Sequence, residues 1–205
     1  MPSNQEIEIK FQVDDLPALN RQLRRLGFRL VTRPTREINT LYDLPGLPLR
    51  RRGELLRLRQ YGTEWVLTHK AKGKVGRHKS RVENETKVGD GRKMATILGA
   101  LHFKPTFQYE KVRAEWSDGK VHVVVDETPI GIFSEIEGSP RLIDKTARNL
   151  GIRPDDYITD TYTELFFRWK QRTRSAAPVM TFAAVRKARA KKVTSRSPPH
   201  DGAPN

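Results

Sequence analysis

The chain has 205 residues, 39 Lys+Arg against 24 Asp+Glu, a formal charge of +15 and no cysteine. The missing thiols exclude a disulfide scaffold, a zinc–thiolate site and a cysteine nucleophile. The start, Met1-Pro-Ser-Asn-Gln-Glu, has no basic segment followed by an apolar run, and no stretch approaches the ~20 apolar residues of a membrane span, so the expected compartment is the cytoplasm.

Glu6–Val13 alternates strictly and predicts a strand. Asp14-Asp-Leu-Pro opens a helix with an acidic cap and Pro17 in its first turn; Leu16, Leu19, Leu23 and Leu26 form its apolar stripe and Gly27 ends it. A strand follows over 35–43, then a Pro/Gly loop to Gly53. Leu55–Tyr61 and Glu64–Lys70 read as a hairpin, Lys72–Lys79 as a Gly/Lys loop and Ser80–Val88 as another alternating strand. Gly91–Leu101 reads as a short helix, and 104–116 and 120–127 as strands around the turn Ser117-Asp-Gly119. Ile132–Glu137 is the last strand; helices follow from Ser139-Pro140 to Leu150 and over 159–170. The pattern of about eight strands joined mostly to their neighbours, with four helices, is α+β with an antiparallel sheet.

The expected domain spans residues 4–170. Residues 171–205 hold Arg172, Arg174, Arg186, Lys187, Arg189, Lys191, Lys192 and Arg196 against one acid, Asp201. They read as a basic, disordered tail: a solvated appendage, with contact to nucleic acid or another anionic surface as the alternative. Within it 179–193 is compatible with a short basic helix, and the proline-containing 195–205 reads as disorder.

The polar faces of the strands are almost wholly charged. Two arrangements fit: charges toward water, or a barrel that turns its charges inward and its apolar side chains toward helices. Like charges two residues apart favour the second: Glu6/Glu8, Glu83/Glu85, Glu135/Glu137, Arg57/Arg59 and Lys111/Arg113. Such pairs repel unless an opposite charge lies between them, so they point to a bound cation and a bound polyanion. His69 and His122 are read as outward, packing or surface residues.

Glu6-Ile-Glu-Ile-Lys10 resembles the ExExK opening of the CYTH family, the triphosphate tunnel metalloenzymes. Leu56-Arg-Leu-Arg59, Leu67-Thr-His-Lys70, Arg81-Val-Glu-Asn-Glu85, Lys111-Val-Arg113, Val125-Asp-Glu127 and Phe133-Ser-Glu-Ile-Glu137 follow in family order. Ile158–Leu165 is similar to the family's closing helix. The resemblance covers residues 5–167 and implies an eight-stranded antiparallel β-barrel with a charged lumen, packed outside by helices.

The resemblance also implies a site. Lys10, Arg57, Arg59, Lys70, Lys111 and Arg113, with Arg81, would bind the phosphates, Arg by bidentate and Lys by point contacts. Glu6, Glu8, Glu135 and Glu137, assisted by Glu83 and Glu85, would hold Mg²⁺ or Mn²⁺, and Asp126 would orient a basic residue or join a second ion. Lys10, Lys70 and Asp126 are the candidate catalytic groups. Three reactions fit the family: class IV adenylate cyclase (the branch it most resembles), a triphosphatase acting on ATP, tripolyphosphate or thiamine triphosphate, and an RNA 5′-triphosphatase. The expected assembly is a monomer or homodimer. A non-catalytic basic nucleic-acid-binding module is the alternative of another class.

Overall fold

A computed structural model describes residues 5–194; the 195–205 stretch expected as disorder lies outside the described residues. Nine strands and six α-helices follow in the order β1 (Gln5–Val13), α1 (Leu16–Arg25), β2 (Arg29–Asp43), α2 (Pro48–Arg51), β3 (Leu55–Tyr61), β4 (Glu64–Lys70), β5 (Lys74–Val75), β6 (Lys79–Val88), α3 (Gly91–Ala100), β7 (Lys104–Ser117), β8 (His122–Thr128), β9 (Gly131–Glu137), α4 (Pro140–Asn149), α5 (Tyr162–Thr173) and α6 (Phe182–Thr194). The sheet runs β1-β9-β8-β7-β2-β3-β4-β6, and β6 pairs back onto β1. Every neighbour is antiparallel, and eight strands form a closed ring. The two-residue β5 pairs only with the start of β6.

Local chemistry sets the boundaries. Asp15 caps α1 by accepting from the Ala18 amide at 2.8 Å, and Gly27 ends the turn at φ +86°. The β7–β8 turn is held by Asp118, which accepts from the amides of Lys120 and Val121, both at 2.8 Å. β2 begins six residues earlier than expected. Pro34 argues against an interior strand, and the β2–β7 ladder accommodates it by shifting register between Thr32 and Thr35.

The apolar faces of the strands turn outward. Ile9, Phe11, Val123, Val125 and Ile136 pack against Leu19 and Leu23 of α1 and Ile143 and Ala147 of α4. Leu58, with Leu56 and Leu67, packs against Leu98 and Met94 of α3. A third cluster lies where β2 and β8 finish and β7 and β9 begin. There Phe107, Tyr109 and Phe133 meet Tyr162, Phe166 and Trp169 of α5, which plugs that end of the ring.

The chain past Lys170 stays on this plug. α5 continues to Thr173, and Ala177, Met180 and Val185 are buried against Trp169 and Phe166. β8 pairs only with Val112–Ser117 of β7, leaving the first half of β7 with an open edge. The Met180 segment fills it: its amide donates to the Gln108 carbonyl at 3.1 Å, and its carbonyl accepts from the Glu110 amide at 2.9 Å. Arg189 stacks over Trp169 at 5.6 Å. This part of the sequence therefore is not a solvated appendage. Met180→Ala should cost about 2–5 kcal/mol in denaturant unfolding, as a fully buried side chain does; a loss under ~1 kcal/mol would return the segment to the status of a tail.

Candidate functional site: a charged lumen

Strand register decides which side chains share the interior. Lys10 lies opposite Glu135 and Glu8 opposite Glu137 across β1–β9; Glu37 lies opposite Lys111 across β2–β7; Arg113 lies opposite Asp126 across β7–β8; Lys70 lies opposite Glu83 across β4–β6. Paired residues in an antiparallel ladder face the same side. All of these except Glu37 and Asp126 line a cavity of about 630 Å³ whose wall contains eight cationic side chains and six glutamates. Of the residues expected at the site, Lys10, Arg57, Arg59, Lys70, Arg81, Lys111, Arg113, Glu6, Glu8, Glu83, Glu85, Glu135 and Glu137 all line it.

Asp126 does not reach the cavity. It is fully buried behind the wall and binds Lys111 at 3.0 Å, Arg113 at 2.7 and 2.6 Å, and the Tyr162 hydroxyl, which donates to it at 2.6 Å. Burial, and next the Asp126 charge, raise the Tyr162 phenol well above its ordinary value, so it remains a neutral donor. Asp126 thus orients the basic wall. Glu37, equally buried, does the same from β2, with Lys111 at 3.4 Å and Arg59 and Arg113 each at 3.9 Å. Burial alone would raise Glu37, but Lys111, Arg113, Arg57 and Arg59 lower it to about 2. A carboxyl held below its ordinary 4.5 stabilises the fold above that value, and the contribution is lost as pH falls toward about 2. Glu37→Gln should therefore cost about 3 kcal/mol at neutral pH, and the gap to wild type should close as acid unfolding is followed downward. A pH-independent gap would contradict this.

Residues the sequence reading did not place include Glu37, Lys79, Tyr109, Thr161 and Tyr162. Lys79, expected in a loop, is the first residue of β6, in step with Arg81, Glu83 and Glu85, and lies 3.5 Å from Glu8. His69 is at the surface beside Glu54. His122 differs from expectation: it pairs with Glu137 and so takes the lumen parity, at the exposed open rim.

Cations and carboxylates are interleaved and largely paired across the lumen, but some groups of each sign are left unsatisfied. On one side Arg57, Arg59 and Arg81 each have a buried Nε with no acceptor among the described residues. Burial and the like charges of Arg57 and Arg113 lower Arg59; burial, Lys10 and Arg81 lower Lys79. On the other side Glu137 has no ion pair among the described residues. Burial, Glu6 and Glu8 raise it, while burial and Glu83 raise Glu6. Glu135 differs from these acids. It sits 3.2 Å from Lys10 and 2.8 Å from Arg113, which hold it well below the ordinary carboxylate range against the opposing effect of burial. Lys70 bridges Glu6 and Glu83, and Arg59 lies 3.4 Å from Glu85.

A divalent hard cation fits this donor set. Glu137 has no ion pair among the described residues, Glu6 and Glu8 lie beside Lys70 and Lys79, and Mg²⁺ usually takes only one or two carboxylates, filling its shell with water and phosphate. Among the described residues no three acidic or histidine side chains close around one point.

A closed antiparallel tunnel whose lumen is lined by eight cationic side chains and six glutamates defines the structural class. Residues 4–162 match the CYTH domain family, and the chain belongs to it; this is the family of triphosphate tunnel metalloenzymes. An adenylate cyclase candidate of Methanocaldococcus jannaschii is 28% identical over 171 residues, covering 78% of this chain and 97% of that protein. In fold, the chain resembles an adenylate cyclase candidate from Vibrio parahaemolyticus (TM-score 0.72, 17% identity, 80% of this chain and 99% of the other). It also resembles a Hippeastrum adenylyl cyclase candidate described as having a dominant triphosphatase activity (TM-score 0.61, 20% identity, 80% and 95%). No helix among the described residues is long and apolar enough to cross a membrane.

Proposed function

We propose that this protein is a divalent-metal-dependent enzyme that processes a triphosphate inside the barrel, with conversion of ATP to cyclic AMP and pyrophosphate as the leading reaction. The observation that carries the reading is the double shortfall of the lumen. The Nε groups of Arg57, Arg59 and Arg81 lack acceptors and Glu137 lacks an ion pair among the described residues, and a triphosphate with one metal ion would supply both. Phosphoryl chemistry needs chiefly positioning and charge neutralisation, which a rigid wall of bases provides. Arg57, Arg59, Arg81, Lys111 and Arg113 would grip the phosphate oxygens; Lys10 and Lys70 would complete the cradle. Burial pushes Lys10 down, but Glu135 and Glu8 more than compensate and hold it above its ordinary value. Lys10 therefore serves as a fixed charge and not as a base. Glu6, Glu8 and Glu137 would hold Mg²⁺ or Mn²⁺, which neutralises phosphate charge and polarises the phosphorus under attack.

Cyclase and triphosphatase share this cradle and differ in the nucleophile: the substrate's own hydroxyl or a water. The likeness to the Methanocaldococcus protein favours the cyclase, and the activity described for the Hippeastrum protein favours hydrolysis. Incubation with ATP and Mg²⁺ or Mn²⁺ followed by chromatography separates them. Cyclic AMP with pyrophosphate supports the cyclase, ADP or AMP supports the triphosphatase, and unchanged ATP, tripolyphosphate and thiamine triphosphate together would overturn the reading. A nucleic-acid-binding module would need its bases on an open face, whereas Lys10, Arg57 and Lys111 are buried in the lumen.

A further inference from the structure

Residues 177–189 lie beyond the family match, which ends at residue 162, yet they grip the wall of the lumen. Met180 forms a parallel bridge to Tyr109, so its two backbone bonds, to the Gln108 carbonyl and from the Glu110 amide, bracket that tyrosine on β7. The next anchor is the Glu110 side chain, which alternates with Tyr109 and so lies on the outward face of the strand. Its carboxylate accepts from the amide of Phe182, the first residue of α6, at 3.1 Å and from Arg36 at 2.9 Å. Further along α6, Arg189 donates to the Pro129 carbonyl at 3.3 Å, in the turn between β8 and β9. The segment thus ties β7 to the β8–β9 turn at the plugged end of the ring.

Tyr109, the residue bracketed, belongs to the lumen. It is buried, lines the cavity and stacks on Tyr162 with ring centroids 5.8 Å apart. Burial pushes the Arg57 guanidinium down, but Tyr109, by charge and hydrogen bond, and Glu37 more than offset this and keep it above its ordinary value. Thr68 accepts from Arg57 Nη2 at 3.3 Å, while Arg57 Nε has no acceptor among the described residues. The guanidinium is therefore held by Tyr109 and Thr68 with one donor left over for an anion.

Resting on the triphosphate reading above, we infer that residues 177–189 are a positioning clasp for the phosphate cradle: by fixing β7 over 108–110 they set Tyr109, and through Tyr109 the Arg57 guanidinium, where it meets the phosphates. Met180 and Glu110 are the positioning residues, and neither lines the cavity.

Calorimetric titration of the full chain with tripolyphosphate in Mg²⁺ tests this through a double-mutant cycle of Glu110→Ala and Tyr109→Phe. Each substitution should weaken binding about fivefold, the size of one hydrogen bond, and the two together should lose no more than either alone, in place of the ~25-fold of independent effects. An unchanged affinity in Glu110→Ala, or losses that multiply, would overturn the inference while leaving the cradle intact. Hydrogen exchange of wild type decides the matter should Glu110→Ala not fold. Because coupling between sites is reciprocal, tripolyphosphate should slow exchange of the Glu110, Met180 and Phe182 amides at least about threefold more than that of the amides of α3, which packs on β3 and β4. Equal slowing would overturn the clasp. Failure of wild type to bind tripolyphosphate would instead remove the triphosphate reading, and the clasp's role with it.

Discussion

Asp126→Ala should be among the most damaging substitutions in the chain, lowering the unfolding free energy by about 3–5 kcal/mol. The side chain is fully buried, and its two oxygens serve Lys111, Arg113 and the Tyr162 hydroxyl. Removing it leaves a buried ammonium and a buried guanidinium short of charge, and a phenol without an acceptor. The ring of Tyr162, 4.6 Å from the Lys10 ammonium and 4.9 Å from that of Lys111, loses the bond that fixes it. In a domain of this size the loss corresponds to a fall in Tm of roughly 10 °C. Thermal and denaturant unfolding check it together, and a loss below ~1 kcal/mol would mean that Glu37 and Glu135 hold the basic wall without Asp126.

Glu137→Gln should act in the opposite sense on stability while removing turnover. Glu137 lies directly across the ladder from Glu8 and is raised by burial, Glu6 and Glu8. Its charged form is therefore the costly one, and the fold gains stability only when the group takes up a proton. The variant should melt about 2 °C above wild type at neutral pH, the size expected from relieving up to ~1 kcal/mol of cross-strand repulsion. The advantage should vanish as pH falls into the ordinary carboxylate range near 4.5, where wild type is protonated too. Metal-dependent turnover should fall by ~10³ or more, since a lost ligand removes several kcal/mol of transition-state stabilisation. A variant that melts higher yet turns over normally would remove Glu137 from the metal site.

Much of this was legible in the sequence because a strand's side chains alternate with period two. Glu6, Glu8 and Lys10, or Arg81, Glu83 and Glu85, declare a common face without reference to any other part of the chain. Which way that face points was carried by the like-charge pairs and the family resemblance. The parts not legible had specific causes. Lys79 extends the β6 series by one step, but the glycines and lysines before it read as loop. Glu37 sits on its face of β2 between Thr35 and Asn39, with no second carboxylate two residues away, and only the Lys111 opposite gives it meaning. The packing of residues 171–194 rests on three small or medium side chains, Ala177, Met180 and Val185, spaced among lysines and arginines that dominate any window of composition. Their burial depends on an open edge of β7 and on the rings of Phe166 and Trp169, both distant in sequence or in the next element.

The central claim is that the lumen is a triphosphate cradle, and it is tested most directly by titrating tripolyphosphate with Mg²⁺ into wild type and into Arg59→Ala. Arg59 lines the cavity, is only partly exposed, and has a buried Nε without an acceptor. The account predicts saturable binding to wild type and a loss of about tenfold or more in the variant, with a smaller loss for orthophosphate. Absence of tripolyphosphate binding to wild type, or equal losses for the two anions, would contradict it.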